Sequence, residues 1–588
     1  MNLANKNLIL LAAVISISAA AADLRVDFAP QFNGKPLAFD TLTNQIAGGQ
    51  KISVTRLDFL VSDFALRRTD GTWIEKKDFF GFIGARDGKT NLLLENIPVG
   101  NCDAIRFQIG LPPEINHGDV AQWPMNHPLN PDVDGLYWSW SKEYVFLAFE
   151  GGWQNGGKRS GFSYHVATDR QLMTVELPVQ LDLNSSREVQ IALNTDKIFS
   201  SPNKIQLSDS TQTSHSRTND LLAAQLRENI ENSFAIASVK EFSPMAELNR
   251  GTNHIVIAPN ATPYHLTISA FAPQPNLPLD NPITVEGVAL GSKLFFDRRL
   301  SDNNSESCAT CHNPQLAFSQ PRRFSRGAEG QIGVRNAMAL ENLAWKNSFF
   351  WDGRAATVRE QVLQPIQNPI EMHESLSNAV AKISADTNYS RYFKNAFGSP
   401  EISTDKIARA LEQFMLVQVS FNSKFDRVMN GAEKFTDEEA RGYILFNTEY
   451  DPYHGQYGAD CFHCHGGVLF QSQNFANNGL DLNFRDLGLY KTTHRAGDEG
   501  KFSVPSLRNV AVSAPYMHDG RFQTLEQVVG HYTTGMKRSA TLDPNLAKHP
   551  DGGVPLSDAD KKALVAFLKT LTDEKYLATP NSSNLAAK

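Results

Sequence analysis

The sequence predicts a multidomain chain that is β first and α second, an N-terminal antiparallel β-sandwich followed by a mainly helical region. Three observations carry that prediction. Period-two alternation with turn residues between short runs extends from Asp23 to about Phe199. Apolar residues at helical spacing dominate after Leu221, and a polar stretch rich in Ser, Thr and Asn (residues 200–219) lies between the two patterns.

Composition sets the frame. A chain of 588 residues with 41% hydrophobic and 20% charged residues is long enough for several buried cores, so wholesale disorder is excluded. The net charge of −7, with Lys and Arg spread along the chain, argues against nucleic acid as a partner. Five cysteines are too few for a disulfide scaffold in a chain of this length.

In chain order, residues 1–22 come first. Lys6 precedes the apolar run Leu8–Ala19, and Ala20, Ala21 and Ala22 follow before Asp23. That pattern predicts a Sec-type signal cleaved near Ala22/Asp23, hence an exported, periplasmic protein. The run is short for a bilayer span, and no later stretch predicts a membrane span in the mature chain.

Residues 23–199 predict the sandwich. Ile105, Phe107 and Ile109 alternate with polar or small neighbours, and Tyr144–Phe149 is continuously apolar, as in a strand covered on both faces. Further short runs fall at Phe59–Leu66, Phe79–Ile83, Met173–Val179 and Val189–Leu193. Cys102 precedes one such run and is expected to be a packed thiol. Residues 200–253 are expected to be a linker with one short helix, Leu221–Ile230.

Helices are then expected at Val288–Phe296, Ala355–Ile366, Asp405–Val419, Asp437–Phe446, Thr524–Tyr532 and Asp558–Leu571. Thr436 with Glu439, and Ser557 with Asp560, have capping-box spacing ahead of apolar runs. The helical region divides into residues 254–430 and 431–578, with 579–588 as a tail.

Four of the five cysteines fall in two C-x-x-C-H strings, Cys308-Ala-Thr-Cys311-His312 and Cys461-Phe-His-Cys464-His465. One helical turn between two thiols suits thioether bonds to the two vinyl groups of a haem, and the adjacent imidazole becomes an axial ligand to the iron. A zinc site would bring four thiolates together, whereas here each pair has its own His. The strings therefore predict two haem c groups, bound through Cys308, Cys311, Cys461 and Cys464 with His312 and His465 on the irons.

Around these strings the sequence resembles the bacterial dihaem cytochrome c peroxidase and MauG superfamily over residues 281–575. The matching segments are LGSKLFFDRRLSDNNSESCATCH, FFWDGRAATVREQVLQPIQNPIEM and FSVPSLRNVAVSAPYMHDGRFQTLEQVVGHY. The resemblance implies two cytochrome c-like domains, hydrogen peroxide as substrate and His312 at the peroxide-reducing haem. It assigns Glu371 as the acid–base carboxylate, Gln361 as its distal-pocket partner and Trp351 as the residue between the haems. Asn336, Ser513 and Pro515 match positions around an inter-haem calcium ion. One carboxyl can take a proton from one peroxide oxygen and deliver it to the other, as heterolysis requires.

Two departures narrow the subfamily. Residues 313–335 contain no His to block the peroxidatic iron, so that iron is expected to be open. At the second haem the position of the usual Met ligand corresponds to His531-Tyr532, which makes Tyr532 the expected ligand, with Met536 as the alternative. An open haem beside a Tyr-ligated one is the MauG-like arrangement, in which a protein residue is oxidised.

Residues 23–200 resemble the MbnP family of periplasmic copper-binding proteins. The carrying string runs from Asp132 through Trp138-Ser-Trp140 to Phe146, supported by Leu57-Asp-Phe-Leu-Val-Ser and Arg106-Phe-Gln-Ile-Gly. That family is paired with MbnH, a MauG-type enzyme, and the first Trp of its W-x-W becomes kynurenine and then binds copper. The resemblance implies Trp138 as the oxidised residue and copper as a ligand. His117, Met125, His127 and His165 are the nearby soft or nitrogen donors, with His117 and His165 the preferred pair alongside Trp138. Without the resemblance, Trp residues at i and i+2 on a strand share a face and pack.

The leading expectation is thus a peroxide-dependent enzyme that oxidises Trp138 in its own copper-binding domain. The alternative is a peroxidase drawing electrons from a small redox protein, a cytochrome c or cupredoxin. A third reading is copper sequestration with haems that only carry electrons.

Overall fold

The structure is a computed structural model that describes residues 21–46, 48–124, 127–138, 141–242, 258, 261–266, 268–269 and 272–578. The signal segment up to Ala20, Met125 and Trp140 lie outside the described residues.

The N-terminal part is built from two packed sheets. The long strand Lys51–Arg68 is the hub of the larger one, pairing antiparallel with Asn101–Ile109 and Glu143–Asn155. In the smaller sheet, Ala21–Phe32 lies between Asn91–Pro98 and Arg187–Asn194. Alternation places Leu24, Val26 and Phe28 inward, all fully buried. The expected antiparallel arrangement holds for most pairs, but Ala21–Phe32 runs parallel to Arg187–Asn194, and Lys158–Ala167 parallel to Thr213–Ser214. In the first case the chain traverses the other sheet before it returns, which supplies the long connection a parallel pair needs.

The predicted linker, as far as residue 242, is part of this domain. The helix Leu221–Glu231 packs Leu226 and Ile230 into the sandwich core, and Phe234–Glu241 adds a strand beside Arg187–Asn194. Phe234 meets Phe107 edge to face at 5.5 Å and Phe28 at 6.2 Å, closing an aromatic cluster. Residues 212–216 are polar yet buried, because they hydrogen-bond within the fold and to the helical region. The β domain therefore extends to about residue 242, well past the expected boundary at 199.

The helical region contains two similar cores. Val285–Phe295 crosses Thr404–Leu416 in the first, and Asp437–Phe446 crosses Asp558–Lys569 in the second. Each crossing is set by a glycine. A Cβ on Gly291 would stand 1.9 Å from the Ala410 carbonyl oxygen, and one on Gly442 would stand 2.0 Å from that of Ala563. Thr436 and Glu439 form the expected capping box, and Ser557 accepts from the Asp560 amide. The expected helix through Tyr532 ends as a helix at Gly530 and continues as a π-helical turn, His531–Gly535.

The β and α parts share one buried cluster that includes Leu136, Trp138 and Tyr144 from the first and Phe446, Phe462 and Phe567 from the second. Polar contacts frame it. Arg217 pairs with Glu449 and Asp451 at 2.8 Å each, and Arg86 pairs with Asp498. Gly161 admits the Pro544 carbonyl to within 2.0 Å of where a Cβ would be. Among the described residues, no helix is long and apolar enough to cross a membrane.

Candidate functional site

The first C-x-x-C-H string forms a single helical turn, Cys308–Cys311, with Ser307 and Thr310 in a reciprocal cap. His312 follows, and its Nδ1–H donates to the Phe318 carbonyl at 2.8 Å, leaving Nε2 for a metal. Burial holds His312 below the usual imidazole range, so the neutral, ligating form is favoured. The two thiols and this imidazole line one cavity with Trp351, Gln361 and Glu371. His312 is the only histidine among the described residues lining it.

Glu371 sits in a turn just after the helix Val358–Gln367, which carries Gln361. The Glu371 amide donates to Asn368 at 2.9 Å, and its carbonyl accepts from the Ala328 amide at 2.7 Å. Gly327, where a Cβ would stand 2.4 Å from the Ile370 carbonyl oxygen, lets the His-free loop approach this closely. Burial raises the Glu371 carboxyl above its ordinary range, while the Arg354 guanidinium and the Asn368 amide oppose the rise.

The second string repeats the donor set. His465 Nδ1 lies 3.1 Å from the Phe470 carbonyl, and burial pushes its pKa down to about 4. Cys461, Cys464 and His465 line a second cavity together with Tyr532 and Met517. At both sites two thiols and a neutral imidazole with its Nδ1–H already bonded fit a covalently attached haem.

Tyr532 accepts a hydrogen bond on its hydroxyl from Asn478 Nδ2 at 3.3 Å, and burial raises its pKa. The π-helical turn carries Tyr532 to this wall, whereas Met536, although buried, is not among the lining residues. Trp351 lines both cavities, and its indole N–H donates to the Asn336 carbonyl at 2.9 Å. Asn336, Ser513 and Pro515 all line the second cavity. Asn336 Nδ2 donates to the Arg322 and Arg323 carbonyls at 3.1 and 3.2 Å, so Oδ1 is what this side chain offers a cation.

Trp138 lies on a two-residue strand, Tyr137–Trp138, paired with Glu143–Tyr144. It is 8% exposed and lines a third cavity with Glu150, His165, His463 and Cys464. Its ring stacks on His215 at 5.7 Å and 27° and meets His165 at 6.0 Å. Trp138 of the β domain thus shares a cavity with Cys464 of the second C-x-x-C-H string.

The expected copper pair is not what the fold assembles. His117 is half-exposed on a loop, 3.0 Å from Asp169 and 3.8 Å from Glu143, and its hydrogen bond to Asp169 raises its pKa. His127 stacks on Trp123 at 4.2 Å and accepts from the Leu129 amide. His165 instead lies with His215 and His463, with one ring nitrogen of each within 4.8 Å of the others. Burial keeps all three imidazoles below their usual pKa. Burial by itself would raise Glu150, but Arg56 and His165 hold that carboxylate well below its ordinary range.

Sequence reasoning missed His215 because it stands in a Ser-rich segment that reads as linker. It passed over His463 because a haem string leaves its two middle positions unspecified; the first string has Ala and Thr there.

A family model described as di-haem cytochrome c peroxidase matches residues 285–434, and the MbnP model matches residues 21–218. The methylamine utilization protein MauG of Methylophilus methylotrophus is 34% identical over 295 residues, covering 50% of this chain and 84% of that relative. Cytochrome c551 peroxidase of Nitrosomonas europaea is 32% identical over 312 residues, covering 52% and 86% respectively. A crystal structure described as a MauG-like protein associated with microbial copper homeostasis is 34% identical with a TM-score of 0.50. It covers 55% of this chain and 99% of that one.

Proposed function

The chain belongs to the di-haem cytochrome c peroxidase and MauG family and carries an MbnP domain at its N-terminus; on that premise we propose that it uses hydrogen peroxide to oxidise its own Trp138 to kynurenine. The family makes it an oxidoreductase with two haem c groups; in this reading Cys308, Cys311 and His312 would hold one and Cys461, Cys464 and His465 the other. When bound, those haems supply the redox chemistry, with peroxide consumed on the His312 side. In this reading the product prepares the N-terminal domain for copper, in the service of copper homeostasis.

One observation carries the proposal: Trp138 shares a cavity with His463 and Cys464 of the second haem motif. The residue to be oxidised is already docked against the enzyme part of the same chain. Glu371 acts as base and then acid, taking the peroxide proton and returning it to the departing oxygen. Gln361, in the same cavity, positions the peroxide. Trp351 lines both cavities, the position from which it would relay electrons between the two groups once bound. Tyr532, which lines the same cavity as His465, would be the second protein ligand to that haem, and Asn336, Ser513 and Pro515 would surround a calcium ion.

The chemistry balances with peroxide alone. Two hydrogen peroxide molecules deliver two oxygen atoms across the indole C2–C3 bond, which breaks, and two waters leave. One water then releases the formyl carbon as formate, so the residue loses one carbon and gains one oxygen.

The protein is proposed to act in the periplasm after cleavage near Ala22/Asp23. The alternative, peroxide reduction by a small cytochrome c or cupredoxin, sits less well with the β domain lying over the second motif, where the His463 side chain is only 3% exposed.

Peptide mass mapping of the Trp138 strand in haem-loaded, peroxide-treated protein is the test. The expected result is the kynurenine mass at Trp138 in wild type and its absence in Glu371→Gln. An unmodified Trp138 in fully loaded wild type would overturn the proposal.

A further inference from the structure

Three segments distant in sequence are laced together by hydrogen bonds at the wall of the first cavity. The Asp302 amide donates to the Met372 carbonyl at 3.0 Å, and the Ala328 amide donates to the Glu371 carbonyl at 2.7 Å. Asn303 Nδ2 closes the third side on the Ala328 carbonyl at 2.8 Å. Arg326, Gly327, Glu371 and Met372 belong to two of these segments and line the cavity. The lace thus holds the backbone that carries the Glu371 carboxyl.

Each segment also contributes one exposed side chain, Asp302, Glu329 and His373. One carboxylate oxygen of each acid and one ring nitrogen of His373 all lie within 4.8 Å of one another. Two carboxylates this close repel. Among the described residues, none of the three side chains has a hydrogen bond or ion pair that would offset the repulsion. Lys382, on the helix Leu376–Ser384, is engaged elsewhere, by Glu374 at 2.5 Å and by the Ser301 and Asp302 carbonyls at 2.8 and 2.7 Å. The imidazole makes this a mixed nitrogen and oxygen donor set. That set suits zinc, whereas calcium and magnesium take oxygen ligands.

We propose that Asp302, Glu329 and His373 bind a zinc ion that clamps residues 326–330 to the turn bearing Glu371. The side chains supply three ligands and water the fourth. Because each ligand stands on a different segment, the ion binds only when all three segments are together and therefore stabilises that arrangement. Exposure lets the ion exchange with solution, so the clamp responds to the zinc around the protein. It depends neither on oxidation of Trp138 nor on copper.

The test uses the full-length, haem-loaded protein, titrated with zinc against a chromophoric chelator. Hydrogen exchange of peptides covering residues 326–330 and 370–374 is followed with and without zinc. In wild type, saturating zinc is expected to slow exchange in both peptides at least about threefold. Asp302→Asn, Glu329→Gln and His373→Gln should each weaken binding at least about tenfold and remove the protection. Glu401→Gln, an exposed carboxylate beside Lys406, should stay close to wild type. His215→Gln removes any zinc held by the buried histidines and should leave the protection intact. The three ligands are exposed, so their variants should fold, and the pyridine haemochrome confirms haem attachment in each. Exchange that zinc leaves unchanged in wild type, or protection that persists in His373→Gln, would overturn the site. Mass mapping of Trp138 is independent of this measurement, so either idea can fail while the other stands.

Discussion

His215 Nε2 lies 2.8 Å from His463 Nε2, joining a residue of the β domain to one inside the second haem string. Trp138 stacks on His215 at 5.7 Å on the other side. Together with the shared hydrophobic cluster, this pair holds the Trp138 indole against the helical region.

On the proposed function, Trp138 is oxidised within its own chain, because it is buried in a cluster shared with the helical region. Formation of kynurenine at Trp138 should follow a rate constant independent of protein concentration across about a 100-fold dilution, whereas a reaction between chains would slow in proportion. Mixing Trp138→Phe, which retains Glu371, with Glu371→Gln, which retains Trp138, should yield no modified peptide. Modified peptide from that mixture would show oxidation in trans.

The Glu371 carboxyl titrates above the ordinary value of roughly 4.3 because it is buried. In its proposed role it acts first as a base and must be ionised, so peroxide consumption should rise with pH through that elevated pKa. Arg354 lowers the pKa, so Arg354→Gln should move the acid limb to higher pH. Glu371→Gln should remove the limb and slow the reaction by about 10²–10⁴-fold. A stopped-flow pH series reads all three; a limb unmoved by Arg354→Gln would count against Glu371 as the titrating group.

Tyr532 lines the second haem cavity and Met536 does not. Tyr532→Phe should therefore open a coordination position and add a high-spin ferric signal in EPR. Met536→Leu should leave the spectrum unchanged. The reverse pattern would make Met536 the ligand.

Gly442 admits the backbone of the Asp558–Lys569 helix, and a methyl group there would fall 2.0 Å from the Ala563 carbonyl oxygen. Gly442→Ala should cost about 1–3 kcal/mol, read as a lower melting temperature. Gly157 has no heavy atom within 4 Å of the equivalent position, so Gly157→Ala should stay within about 0.5 kcal/mol.

The local chemistry was legible in the sequence. Each C-x-x-C-H string carries a complete donor set for a haem because its thiols and imidazole lie within about one turn. The Thr436–Glu439 cap and the buried alternation of Leu24, Val26 and Phe28 are likewise contained in short stretches. The long matching strings also carried Trp351, Gln361 and Glu371 to positions lining the first cavity.

Other features depended on packing between distant segments. Residues 212–216 read as linker because they are polar, yet their polar groups find partners such as Glu449 and Asp220, which removes the cost of burying them. His117 and His165 looked alike in sequence; the fold leaves one half-exposed beside Asp169 and buries the other against His215 and His463. The sequence by itself carried the two C-x-x-C-H strings and the order of the β and α parts, because each signal is local. Only the tertiary structure decided that Trp138, His165, His215 and His463 meet, because their convergence requires the two domains to share a buried core.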